Sequence, residues 1–294
     1  MEKRGGEWRL TVAMALSGTI GMLVVGSGLE PLTVVFFRCL IGGAALLGWL
    51  LLKRQWQALD RRAMLWLLGG AAALILNWLC LFSAYGRSSI SVATVVYHVQ
   101  PFFLILLGAL LQRELPPVAK LAWLALAFAG VALAADIDLS GADTGMLAGA
   151  LLALAAAFLY AIATLATRKL NCLAPAQIAG LQLIVGALVL APFSRFSLDS
   201  LPLKAWSCVL TLGIVHTGLM YNLMYAAFQR LRTEAIATLS FIYPLVAIAV
   251  DVLFFDVVLS GAQVLGMAMI LAAVLANQFA GKGVLQLFTH RSRS

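Results

Sequence analysis

The sequence predicts an all-α polytopic membrane protein, with ten transmembrane helices arranged as two five-helix inverted repeats. Three observations predict it. The 294 residues are 63% hydrophobic and 11% charged, with a mean hydropathy of +1.00. The apolar residues gather into ten runs of about membrane-crossing length. The chain also resembles itself at an offset of 143 residues. Ordinary soluble domains carry about 25% charged residues, and a soluble fold of this size needs a polar coat that this chain lacks. That excludes a cytosolic enzyme, a nucleic-acid binder and a disordered chain. Long unbroken apolar runs also exclude an outer-membrane barrel, whose strands alternate polar and apolar residues.

The runs lie at 10–26, 32–52, 63–84, 91–111, 117–136, 145–166, 176–194, 205–227, 235–255 and 261–280. The first is short and Gly-rich and follows Lys3, Arg4 and Arg9. It lacks a small-x-small cleavage pattern leading into polar sequence, so it reads as an uncleaved span rather than a signal peptide. The second carries Arg38 near its start. The third holds Asn77 and Trp78 and ends at Tyr85. The fourth carries the densest polar cluster, Tyr97, His98 and Gln100 before Pro101. The fifth holds Trp123 and the sixth is almost wholly aliphatic. The seventh ends at Pro192. The eighth contains Tyr221, Asn222 and Tyr225. The ninth contains Ser240, Tyr243, Pro244 and Asp251, and the tenth leads into a basic tail.

The net charge of +8 reads as an orientation. With both termini on one face, sixteen of the twenty Lys and Arg residues fall on that face. Only Arg87, Arg195 and Lys204 fall opposite, and Arg38 lies within a span. Cytoplasmic loops carry such an excess, which puts both termini in the cytoplasm. Cys39, Cys80, Cys172 and Cys208 form no CxxC pair and read as small hydrophobes, neither a metal site nor a disulfide frame.

At the 143-residue offset Ile41, Gly43 and Ala44 meet Ile184, Gly186 and Ala187. Gly70 meets Gly213, Arg87 meets Arg230 and Pro101 meets Pro244. The domains are then 1–143, a first five-helix repeat, 144–284, a second and inverted repeat, and 285–294, a basic cytoplasmic tail. Five is odd, so the second repeat enters the membrane upside down. Inverted repeats with a midplane site between them are typical of secondary transporters. Membrane enzymes and receptors carry duplications too.

The fourth span, Tyr97-His98-Val99-Gln100-Pro101 running to Arg113-Glu114, and its partner Ser240-Phe241-Ile242-Tyr243-Pro244 resemble the drug/metabolite transporter superfamily in its EamA branch. Glu114 has no acid at Val257, although Asp256 is adjacent. Within the branch the chain looks most like the YddG-type aromatic amino acid exporters. The resemblance implies a basket-like fold around a central cavity, lined mainly by spans one, three, four, six, eight and nine. It also implies export of aromatic and other neutral amino acids or similar small metabolites.

Buried polar groups are expensive in a bilayer, which makes them candidates for a substrate-binding wall. The set is Asn77, Trp78, Tyr97, His98, Gln100, Tyr221, Asn222, Tyr225, Ser240 and Tyr243. Asn side chains both donate and accept, suiting a zwitterion, and the rings could stack on an apolar body. Interhelical packing is the plainer role for the same residues. Pro101 and Pro244 each remove a backbone donor and are expected to bend their helices. Arg38 and Asp251 are candidates for a charge or proton role. Arg38 could instead snorkel to the interface, and Asp251 could face the outer headgroups. His98 either titrates near neutral pH or stays a neutral hydrogen-bonding group.

No cofactor or metal is expected, since there is no Walker loop and no supported nucleophile–base pair. The protein is therefore expected not to be an enzyme. Its expected partners are a small-molecule substrate and membrane lipid, with no nucleic acid and no required protein partner. Export of cationic drugs or another solute of the superfamily is the alternative, with Asp251 as the available acid. An intramembrane enzyme or lipid-handling protein is the alternative from a different class.

Overall fold

The computed structural model describes the backbone of residues 2–54, 56–113, 118–134, 144–170, 173–194, 201–228, 231, 239 and 242–291. It is all-helical among them. In chain order the helices are α1 (Glu2–Gly18), α2 (Ile20–Gly26), α3 (Pro31–Leu52), α4 (Arg61–Tyr85), α5 (Ile90–Tyr97) and α6 (Gln100–Gln112). Then come α7 (Val118–Ala134), α8 (Thr144–Arg168), α9 (Pro175–Leu190), α10 (Leu203–Gly213), a π-helical turn (Ile214–Leu219) and α11 (Met220–Phe228). The series closes with α12 (Ile242–Phe254) and α13 (Gly261–Arg291).

Helices dominate because lipid offers the backbone no hydrogen bonds. Their starts follow local chemistry. Pro31 and Pro175 open α3 and α9, where the missing N–H costs nothing. Asp60 accepts from Ala63 N at 2.6 Å and Ser89 from Val92 N at 3.1 Å, which caps α4 and α5.

Six helical stretches among the described residues are long and apolar enough to cross a membrane: Gly5–Gly26, Pro31–Leu52, Arg61–Tyr85, Ile90–Leu111, Thr144–Thr167 and Pro175–Phe193. Shorter apolar helices cover Leu121–Ala134, Leu203–Leu219, Ile242–Phe254 and Gly261–Ala276. The outer surface is greasy. Leu65, Leu188 and Leu253 are each at least 70% exposed, as a lipid-facing belt requires and a soluble surface avoids.

Among the described residues, three of the apolar runs depart from a continuous α-helix. The first breaks at Thr19, whose hydroxyl donates to the Leu16 carbonyl at 2.9 Å. The fourth breaks at His98 and Val99, with Pro101 as the second residue of α6. The eighth passes through the π-helical turn. The break at Pro101 coincides with an expected bend. Pro244 is buried in α12, and residues 240 and 241 on its N-terminal side lie outside the described residues. The ends differ from the apolar runs as well: α1 begins at Glu2, and α13 stays helical to Arg291, through the expected tail.

Long-range packing is ordered. α4 lies along α8, α3 along α9, α7 along α13, and α1 against α11 and α12. The α7–α13 crossing is tight enough to need glycine. A Cβ on Gly130 would lie 2.7 Å from the Gly266 carbonyl oxygen. One apolar core runs through the bundle, and a satellite of Leu67, Leu170, Leu173 and Ile178 sits at one end.

Candidate functional site

A cavity of about 240 Å³ lies where helices from both ends of the chain meet. Ser17 and Ile20 line it across the α1–α2 break. Trp78, Phe82 and Tyr85 line it from α4, at spacings that share one helix face. Tyr97, His98, Gln100 and Pro101 come from the α5–α6 break. Tyr160 is contributed by α8, Met220, Tyr221 and Met224 by α11, and Tyr243 by α12. Five of the six tyrosines in the chain thus converge on one space.

Arg38 reaches this cavity from α3 and is only 2% exposed. Its Nε donates to Thr217 Oγ1 at 3.2 Å. Its guanidinium carbon lies 4.1 Å from the Trp78 ring centroid and 5.8 Å from that of Phe82, both within cation–π range. Among the described residues, the ionisable side chains that interact with it are Cys39, Tyr85, His216, Tyr221 and Tyr243, and none of these is a carboxylate.

The π-helical turn sets this geometry. Its wider winding lets Thr217 Oγ1 donate five residues back to Leu212 O at 2.9 Å while accepting from Arg38. A Cβ on Gly42 of α3 would come within 2.6 Å of Thr217 Cγ2, so bare backbone is needed there. His216 Nε2 lies 2.9 Å from Thr19 Oγ1, and its Nδ1 lies 3.3 Å from Thr211 O. That contact ties the turn to the α1–α2 break.

The expected site residues separate into three groups. Arg38, Trp78, Tyr97, His98, Gln100, Pro101, Tyr221 and Tyr243 line the cavity. His98 keeps its Nδ1 at 3.0 Å from Thr94 O and packs its ring on Tyr243, centroids 5.1 Å apart. Gln100 Oε1 is buried and has no hydrogen-bond partner.

Asn77, Pro244 and Asp251 are buried but do not line the cavity. Asn77 Nδ2 donates to Ala156 O at 2.7 Å and to the Tyr97 hydroxyl at 3.3 Å, joining α4 to α8 and α5. Asp251 Oδ2 accepts from Ser91 N at 2.5 Å, so its charge meets the free donors at the start of α5. It therefore neither pairs with Arg38 nor faces the outer surface, being 1% exposed. Ser240 and the side chains of Asn222 and Tyr225 lie outside the described residues.

Sequence reasoning missed Tyr160, Ser17, His216, Thr217 and the methionines Met14, Met220 and Met224. The rule of buried polar cost applies equally to Tyr160, His216 and Thr217. The methionines give no such signal, because an apolar side chain in an apolar helix is unremarked. No group of three His, Cys, Asp or Glu residues among the described residues could hold a metal ion. Cys39, Cys80 and Cys208 are free thiols.

A polytopic helical membrane protein enclosing a small polar-tipped cavity is the form of a small-metabolite transporter. The profile of the EamA-like transporter family matches residues 9–135 and again 147–277. The chain belongs to that family. It is 31% identical over 270 residues to the uncharacterized transporter YxxF of Bacillus subtilis, covering 90% of this chain and 87% of that protein. It is also 31% identical over 202 residues to a "probable amino-acid metabolite efflux pump" of Escherichia coli, covering 64% of this chain and 67% of that protein. A solved crystal structure shares the fold, with TM-score 0.64 and 21% identity over 98% of this chain and 99% of the other.

Proposed function

We propose that the protein exports aromatic and other neutral amino acids, or similar small metabolites, across a bacterial inner membrane by alternating access. The observation that carries this reading is the cavity wall, where Arg38 and Gln100 stand among aromatic rings on most sides. The size supports a small solute. Pockets for drug-sized ligands run about 300–1,000 Å³, against about 240 Å³ here. The name of the Escherichia coli relative points the same way. A cationic drug would want an acid on the wall, and the described lining residues offer none.

Ten spans in two inverted halves, 1–143 and 144–284 with a tail at 285–294, form the proposed machinery. The double profile match supports it. So does the packing: α3 on α9 and α7 on α13 pair equivalent elements of the halves, while α4 on α8 is answered by α1 on α11. Sidedness has support too. Gln177 accepts from Gln57 N at 3.0 Å and donates to Gln57 O at 2.6 Å, linking the loop before α4 to the start of α9, and basic residues flank both. In this reading that face is cytoplasmic, and substrate enters from it. Asn77, Trp78, Tyr97, His98, Gln100, Tyr221, Asn222, Tyr225, Ser240 and Tyr243 form the proposed binding set, with Pro101 and Pro244 marking where the fourth and ninth spans bend.

Purified protein in liposomes should exchange labelled phenylalanine, tryptophan and leucine. Trp78→Ala, Tyr97→Ala, His98→Ala and Asn222→Ala should each lower the rate several-fold without loss of folded protein. If no neutral amino acid moves under any imposed gradient, the substrate assignment fails.

A further inference from the structure

We propose that the cavity selects its solute by a single negative charge. Its preferred substrates are aromatic or apolar monocarboxylates whose amino group is blocked or absent, and Arg38 takes the carboxylate. This rests on the reading above that the cavity holds the transported solute, and it narrows the solute's class.

The charge balance of the site carries the argument. Arg38 is buried at the cavity wall and lies among Cys39, Tyr85, His216, Tyr221 and Tyr243, with no carboxylate paired with it among the described residues. An uncompensated charge in a low-dielectric interior is costly, and an arriving anion removes that cost. Asp251, the deep acid nearest in kind, is turned away and spends its oxygen on Ser91 N. A zwitterion would satisfy Arg38 with its carboxylate. It would leave its ammonium facing Trp78, Phe82, tyrosines, Ser17 and His98, with no carboxylate among the described lining residues to take its charge. A monoanion leaves the loaded site neutral and asks for no second charge on the wall.

Thr217 fixes Arg38 through Nε, which leaves the two terminal nitrogens as the pair that can grip a carboxylate. The Trp78 and Phe82 rings hold the guanidinium plane from the side. They continue into the apolar wall that an aromatic body would stack on.

A consequence for energetics follows. The empty site carries the Arg38 charge and the loaded site does not, so transport moves one net negative charge outward. An inside-negative potential of about 100 mV then supports an outward gradient of roughly fifty-fold with no coupling ion.

The test uses the purified full chain in liposomes, in gluconate buffer, with protein-free liposomes as the leak control. Labelled N-acetylphenylalanine is the tracer. Unlabelled N-acetylphenylalanine, phenyllactate, phenylalanine and phenylalanine amide compete. The two monoanions should compete at concentrations at least tenfold lower than phenylalanine, and the amide should not compete. A potential set with potassium and valinomycin should drive the tracer away from the negative side and leave phenylalanine exchange unchanged. Arg38→Gln should cut the anion preference below threefold, while Arg38→Lys keeps it at reduced affinity. If Arg38→Gln yields no folded protein, the wild-type rank order and Arg38→Lys decide. Phenylalanine competing as well as the monoanions, or tracer flux indifferent to potential, would overturn the inference and leave the cavity's transport role standing. No flux of any of the four solutes would remove that role itself.

Discussion

Among the described residues, Arg38 and Asp251 are the Asp, Glu, Lys or Arg side chains buried within the apolar helices, and the structure gives them different surroundings. Arg38 faces a cavity and is positioned by a neutral hydroxyl. Thr217→Val keeps the shape of that residue and removes the acceptor. One hydrogen bond to a charged group contributes about 1.5–3 kcal/mol. The variant should therefore bind substrate roughly tenfold more weakly, with its Tm within a few degrees of wild type. Asp251 holds the first turn of α5. Asp251→Ala strands Ser91 N and should cost about 1–3 kcal/mol, read as a lower Tm in detergent with KM unchanged. Loss of transport at an unchanged Tm would instead mark Asp251 as a proton or substrate group. Much of the residue-level site was legible in the sequence, because a polar side chain in an apolar helix is visible without coordinates. Its direction was not: Asn77 and Trp78 are neighbours, and only Trp78 meets the cavity.

The π-helical turn at Ile214–Leu219 is the element on which the site depends most. Its hydrogen bonds reach one residue further back than those of an α-helix, so the turn accommodates one extra residue. Deleting Gly218 would restore α-helical winding, leave α11 facing nearly the same way, and remove the wide turn that lets Thr217 Oγ1 reach Leu212 O while accepting from Arg38. Such a variant should insert and fold but bind substrate more weakly, as Thr217→Val should. At the α7–α13 crossing the effect should be the reverse. Gly130→Val presses a side chain onto the Gly266 backbone, which cannot give way as a side chain can. Overpacking costs about 1–3 kcal/mol or more, so folded yield and Tm should both fall while the activity per folded molecule survives. Nothing local in Ile-Val-His-Thr-Gly-Leu announces a π turn. Pro101 did announce the fourth break, since a missing N–H is a property of the residue itself.

For the molecule as a whole, the charge asymmetry and the proposed five spans per repeat make a sharp topological prediction. A reporter active only outside the cytoplasm should be silent when fused after Ser294 and in the loop near Gln57. It should be active when inserted between Arg195 and Ser200. A C-terminal fusion that is active would break the ten-span count. Disruption of the Gln57–Gln177 link, as in Gln177→Ala, should loosen the loop before α4 and alter the exchange rate more than the affinity. The link joins the two proposed halves and lies away from the cavity.

Membrane residence, helicity, approximate segment positions and the 143-residue echo were determined by the sequence alone. These depend on composition and on short-range periodicity, which a linear reading captures. The tertiary structure decided which buried polar groups share a space. Arg38 meets Thr217 across 179 residues and Asp251 meets Ser91 across 160, so no local pattern could pair them. It also decided that the available acid stays away from the available cation. The charge of the cavity is a property of how the helices rotate about their axes, and rotation is fixed only when every helix has found its neighbours.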